Sequence, residues 1–193
     1  MTSSRYIKKS EEVHEAISKL FAHKGYSSTS IRDIAAHLGM NKSTLYHYMG
    51  NKEKALFTIM YSGMELAVET LKTIASSDLP AEERLKEVLS FYTRRYCSDP
   101  ERILLLAYDF RNLNETHQRL VIEKQRQVVN LFKGILYELA SDGKLKGVRP
   151  AVAAFAFFGM AHHTVNWFKM DGSIGLKQLA NDFVEIFTRG VFK

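Results

Sequence analysis

Six of the seven side chains from Lys42 to Tyr48 can hydrogen-bond: Lys42, Ser43, Thr44, Tyr46, His47 and Tyr48. Hydroxyls, an imidazole and an amine are groups that meet base edges and phosphate oxygens in the DNA major groove. At 100° per residue, Leu45 and Met49 fall together on a helix, and Ser43, Thr44 and His47 fall opposite them. Lys42 and Tyr46 flank the polar face on one side, Tyr48 on the other. The pattern predicts a short helix held by two apolar anchors, with its polar face outward. A surface helix chosen only for solubility would favour Glu, Lys and Ala over these tyrosines, histidine and small hydroxyls. We therefore read the face as a DNA contact, since an α-helix fits the major groove.

The neighbouring elements suit that role. Ser30-x-x-Asp33 has the form of a capping box and starts a preceding helix near Ser30. Its apolar face is Ile31, Ile34, Ala35 and Leu38, and Gly39 ends it. The polar helix follows from Asn41, so two short helices meet at a tight glycine turn, the outline of a helix-turn-helix. An earlier helix, from Ser4 to Lys24, repeats Val13, Ile17, Leu20 and Phe21 at three- and four-residue spacing. A later one begins near Asn51 and turns Leu56, Ile59, Met60, Gly63 and Ala67 inward. The free N–H groups at the starts of the second and fourth helices can take phosphates, and Lys52 and Lys54 flank the latter.

The charge distribution agrees. Of the net charge of +6, residues 1–52 carry +4, from eight Lys/Arg against four Asp/Glu. A basic end is the electrostatic footprint of a polyanionic partner. The chain of 193 residues can bury a substantial core. Its one cysteine, Cys97, precludes an internal disulfide and fits a reducing, cytoplasmic setting. The N-terminus lacks the apolar stretch of a signal peptide. The longest apolar run, "AVAAFAFFGMAHHTVNWF", is broken by histidines and an asparagine, so it reads as a buried helix rather than a membrane span.

Helical periodicity continues to the C-terminus, and an all-α fold of about nine helices is expected. Pro80, Pro100 and Pro150 each suit the start of a helix, and Asp-Gly at 142–143 and 171–172 suits its end. The domains expected are 1–52, with the helix-turn-helix, and 53–193, for ligand binding and dimerisation. Paired carboxylates at glycosidase spacing, a nucleophile elbow, a Walker loop and a metal-ligand cluster are all missing, so neither an enzyme nor a cofactor site is expected. His162 and His163 are adjacent and point about 100° apart on a helix, which is no metal clamp.

The N-terminal residues resemble the DNA-binding domain of the TetR family of bacterial transcriptional regulators. The resemblance is carried by Gly25–Tyr26, Thr29–Ser30, Ile34–Ala35, Gly39, Leu45–Tyr46, His47–Tyr48 and Lys52–Glu53, over about residues 8–60. Met49 stands where the family usually has Phe. The resemblance implies an all-helical homodimer on a double-stranded, palindromic operator. It implies DNA contacts from Thr29, Ser30, Lys42, Ser43, Thr44, Tyr46, His47, Tyr48 and Lys52. It also implies dimerisation through residues 150–191, by two apolar helices at 150–170 and 174–191. Ala153, Ala154, Ala156, Gly159 and Ala161 would let those helices approach closely.

The ligand-binding half is less explicit. Phe91, Tyr92, Tyr96, Tyr108 and other apolar residues could line a cavity between helices. Arg126 and the "NWFKMDG" segment at 166–172 are similar to family members that respond to acyl-CoA thioesters. In that reading Arg126 meets a phosphate or carboxylate, and Asn166 and Trp167 line a pocket mouth. The expectation is a repressor released from DNA by a small hydrophobic molecule, which the resemblance suggests is an acyl-CoA. The alternative is a DNA-binding or interaction protein with no small-molecule effector.

Overall fold

The structure, a computed structural model, describes residues 3–193, so the first two residues of the expected domain 1–52 lie outside the described residues. Among the described residues there are nine α-helices and no strand. They are α1 (Ser3–Lys24), α2 (Ile31–Leu38), α3 (Lys42–Met49), α4 (Lys52–Ala75), α5 (Ala81–Ser98), α6 (Pro100–Leu104), α7 (Glu115–Ser141), α8 (Pro150–His163) and α9 (Leu176–Val191). A wide π turn, Leu105–Asp109, and a 3-10 turn, Phe110–Asn112, join α6 to α7. No helix among these residues is long and apolar enough to cross a membrane.

The chain divides into two compact units: Met1–Gly63 with Glu101–Ile122, and Met64–Pro100 with Glu123–Lys193. In the first, Val13, Ile17 and Phe21 of α1, Ile34 of α2, Leu45 and Met49 of α3, and Leu56, Ile59 and Met60 of α4 share one buried cluster. Eight-residue helices such as α2 and α3 are marginal alone. Burying a Leu or Ile side chain contributes about 1.5–3 kcal/mol, and that packing stabilises them. The turn between them needs Gly39, which adopts φ +61°, where a side chain is disfavoured. Its N–H and that of Met40 cap the last carbonyls of α2.

This unit is larger than the expected 1–52 domain. Leu105, Leu113 and Val121 join the same cluster as α1–α4, drawing residues 101–122 into the N-terminal core. Long-range packing of this kind leaves no local signature in the sequence.

In the second unit, α5 packs on α8 and α9. The core is aromatic: Phe132 of α7 lies 5.4 Å from both Phe157 and Phe158 of α8, and Phe157 lies 5.6 Å from Phe187 of α9. The helix expected at 150–170 stops earlier, at His163. Thr164 turns its hydroxyl back onto the Ala161 carbonyl at 2.6 Å, and a 3-10 turn follows. Ala153, Ala154 and Ala161 face this core, whereas Ala156 and Gly159 are exposed together with Val152 and Phe155. On α9, Ile186 is also exposed.

Candidate nucleic-acid interface

The geometry of α3 follows from its two ends and its two anchors. Asn41 caps the helix, its side-chain oxygen accepting from the Thr44 N–H at 2.8 Å. Leu45 and Met49 are fully buried. Lys42, Ser43, Thr44, Tyr46 and His47 are exposed, as the helical projection places them.

Tyr48 departs from that pattern. It is half-buried, and its ring stacks on Tyr6 of α1 with centroids 5.3 Å apart. Tyr6 also meets the His47 ring edge-on at 5.2 Å and donates its hydroxyl to the His47 carbonyl at 3.1 Å. Sequence reasoning passes over Tyr6. It stands seven residues before Val13, on the same stripe of α1, but nothing local in the sequence announces its contact with α3.

The helix starts are more occupied than the sequence suggests. Ser30 closes a full capping box with Asp33 at the start of α2. Its hydroxyl accepts from the Asp33 N–H at 3.2 Å and donates to the Asp33 carboxylate at 2.7 Å. The Lys24 ammonium lies 2.9 Å from that carboxylate. It is the main cause that holds Asp33 below the usual carboxylate range, and Ser30 adds to it. Thr29 is buried, and its hydroxyl donates to the Gly25 carbonyl at 2.8 Å. It therefore supports the turn from within rather than reaching outward.

At the start of α4, Asn51 caps the Lys54 N–H at 2.8 Å. Lys52 lies 4.2 Å over the Tyr26 ring, a cation–π contact. Burial pushes the Lys52 pKa down, partly offset by Asp109, whose own carboxyl burial pushes up. Glu53 accepts from the Asn114 N–H at 3.0 Å, and its carboxylate is 2.8 Å from His117 Nδ1. The His117 ring lies flat on Phe57 at 3.8 Å.

Of the residues expected to line an effector site, the second unit brings Tyr92 and Tyr96 together. Their rings are 5.9 Å apart. Both meet His162, whose Nε2 is 2.7 Å from the Tyr92 hydroxyl and whose ring stacks on Tyr96 at 4.7 Å. Burial pushes the Tyr92 hydroxyl up and the His162 imidazole down. The sequence considers His162 only in setting aside a metal clamp with His163. Among the described residues no group of three or more His, Cys, Asp or Glu could hold a metal. Phe91 is half-buried against the core. Arg126 is on the exposed side of α7, and Asn166 and Trp167 are exposed after α8. Tyr108 belongs to the first unit, where it is 72% exposed.

Comparison with known proteins agrees with this arrangement. Residues 14–57 match the family described as bacterial regulatory proteins, tetR family, and residues 78–191 match the tetracyclin repressor-like, C-terminal domain. The chain is 25% identical over 182 residues to the fatty acid metabolism regulator protein of Bacillus subtilis (strain 168), covering 93% of this chain and 94% of that protein. The structure of AibR in complex with isovaleryl coenzyme A and operator DNA superposes with a TM-score of 0.82 at 26% identity, covering 95% of this chain and 99% of that one. The TetR family regulator PfmR from Thermus thermophilus shares the fold, with a TM-score of 0.85 at 24% identity over 94% of this chain and 99% of that one. An N-terminal helix-turn-helix followed by a repressor-type C-terminal domain, matched over most of its length, makes this chain a member of the TetR family of bacterial transcriptional regulators.

Proposed function

We propose that the protein is a homodimeric repressor that reads two half-sites of an operator with α3 and is released by a hydrophobic effector. The observation that carries this is the division of α3 between buried Leu45 and Met49 and exposed Lys42, Ser43, Thr44, Tyr46 and His47. Those five side chains do the reading. Tyr48 supports them, and Ser30 and Lys52 stand at helix starts beside the backbone. A dimer would set two copies of α3 into successive major grooves, ~34 Å apart. Val152 and Phe155 of α8 and Ile186 of α9, each more than half exposed, supply the apolar face on which two protomers would meet.

The proposed effector class is an acyl thioester of coenzyme A. It is supported by the likeness to AibR, whose structure holds isovaleryl coenzyme A, and to a fatty acid metabolism regulator. The Tyr92–Tyr96–His162 group would touch the effector from within the second unit, and exposed Arg126 would meet its phosphates. Release follows if the effector favours a conformation whose half-site spacing no longer matches DNA.

The test is a duplex selected from randomised DNA, titrated by fluorescence anisotropy. Tyr46→Ala and Lys42→Ala should weaken binding while the dimer stays folded; unchanged affinity in both would sink the assignment of α3. Acyl-CoAs of increasing chain length should raise the melting temperature and displace the duplex. A melting temperature unmoved by any of them would favour a DNA-binding protein without an effector.

A further inference from the structure

We propose that Tyr6, near the start of α1, is a positioning residue of the DNA-reading helix. It holds the C-terminal end of α3 and sets the rings of His47 and Tyr48. This rests on the reading of α3 given above and adds to it a residue outside the helix-turn-helix.

The last four carbonyls of a helix have no partner within it. In α3, which ends at Met49, the His47 carbonyl is one of them. Tyr6 donates its hydroxyl to that carbonyl from 3.1 Å. The Tyr6 ring meets two more rings of the same helix, stacked on Tyr48 at 5.3 Å and edge-on to His47 at 5.2 Å. His47 and Tyr48 are themselves 5.3 Å apart and nearly perpendicular, so the three rings close on one another.

Tyr6 is tied to the core through its own helix, because it shares a stripe of α1 with buried Val13 and Ile17. Leu45 and Met49 hold α3 from its inner side, but nothing in that pair orients the imidazole of His47 on the outer side. Tyr6 does so, because its ring and hydroxyl engage the His47 side chain and backbone at once. Edge-on and stacked aromatic pairs have preferred geometries, so they fix direction as well as distance.

Tyr6 directs its hydroxyl to the His47 carbonyl, which separates this role from a phosphate contact. A phosphate contact supports binding to every sequence and sets the salt dependence. A residue that orients His47 acts only where His47 meets the correct base. Removing Tyr6 should therefore reduce discrimination between sequences and leave salt dependence unchanged.

The experiment uses the full chain and a duplex selected by the wild-type protein from randomised DNA, beside a scrambled duplex of equal length. Tyr6→Phe keeps the rings and loses the hydroxyl; its affinity for the selected duplex should fall about two- to tenfold. Tyr6→Ala loses both, and the fall should reach about tenfold or more. Binding to the scrambled duplex should change less than about twofold, with the slope of affinity against salt unaltered. Equal losses on both duplexes, or wild-type discrimination by Tyr6→Ala, would overturn the proposal while leaving the reading of α3 intact. A wild-type protein that selects no duplex would overturn that reading and this proposal with it.

Discussion

Leu45→Ala and Tyr46→Ala change adjacent residues of one eight-residue helix, and they should fail in opposite ways. Leu45 is 0% exposed in the core of the first unit. Truncation removes about three carbon groups, worth ~0.8 kcal/mol each on transfer. The space left behind adds a cavity term, giving a total of about 3–5 kcal/mol. A helix as short as α3 is marginal alone, so losing one of its two buried anchors should free it from the unit. Tyr46 is 45% exposed, and its truncation should change stability by no more than about 0.5 kcal/mol. Hydrogen exchange read peptide by peptide separates the two. In Leu45→Ala, the amides of α2 and α3 should exchange faster than in wild type, while α5 and α8, built around a separate aromatic core, stay protected. Tyr46→Ala should leave every peptide unchanged. Both should bind the selected duplex poorly, one because the helix is loose and one because the contact is gone. Unchanged exchange across α3 in Leu45→Ala would refute the claim that this side chain holds the reading helix in place.

Two further effects can be measured without DNA. Asn41→Ala removes the side-chain cap on the Thr44 N–H and should cost about 1 kcal/mol in urea unfolding, seen first as faster exchange in the opening turn of α3. Stability should also fall as the solution is acidified. Burial is the largest cause lowering the pKa of both His14 and His162 from 6.5. Below that value the unfolded chain takes up protons that the folded chain still refuses, so their contribution is present above about pH 6.5 and is lost as the pH falls. Unfolding followed from about pH 7.5 to about 5.5 should show a slope that flattens in a His14→Gln, His162→Gln double variant; an identical slope would assign the acid sensitivity elsewhere.

The helices were legible because a 3.6-residue repeat is local. Val13, Ile17 and Phe21, or Leu56, Ile59 and Met60, announce both a helix and its buried side, and the capping pair Ser30 and Asp33 announces a start. Two features of the fold were not legible. The break in the helix after His163 depends on which carbonyl the Thr164 hydroxyl chooses, and a threonine within a helical pattern does not declare that choice. The inclusion of residues 101–122 in the N-terminal unit depends on Leu105, Leu113 and Val121 packing against helices far away in sequence.

The same distinction governs the candidate site. Apart from Tyr48, which Tyr6 half-covers, the outward face of α3 could be derived from its own eight residues, because two buried positions orient the rest. Tyr6 could not, since it meets His47 across forty-one positions of sequence. Thr29 shows the limit from the other side. Its hydroxyl suits a phosphate, yet its neighbours bury it and direct the hydrogen bond to Gly25. In the second unit the difficulty is greater still. An aromatic residue on a helix of a bundle is ordinary core unless something polar accompanies it, and what accompanies Tyr92 and Tyr96 is His162, seventy residues from Tyr92. The half-buried Tyr92 hydroxyl, whose ring lies against Phe157 and Phe158, finds its hydrogen-bond partner in the exposed His162. That pairing singles out this cluster among the many aromatics of the unit, and under the proposed function it makes His162, rather than the more conspicuous Trp167, the first residue to test for contact with an effector.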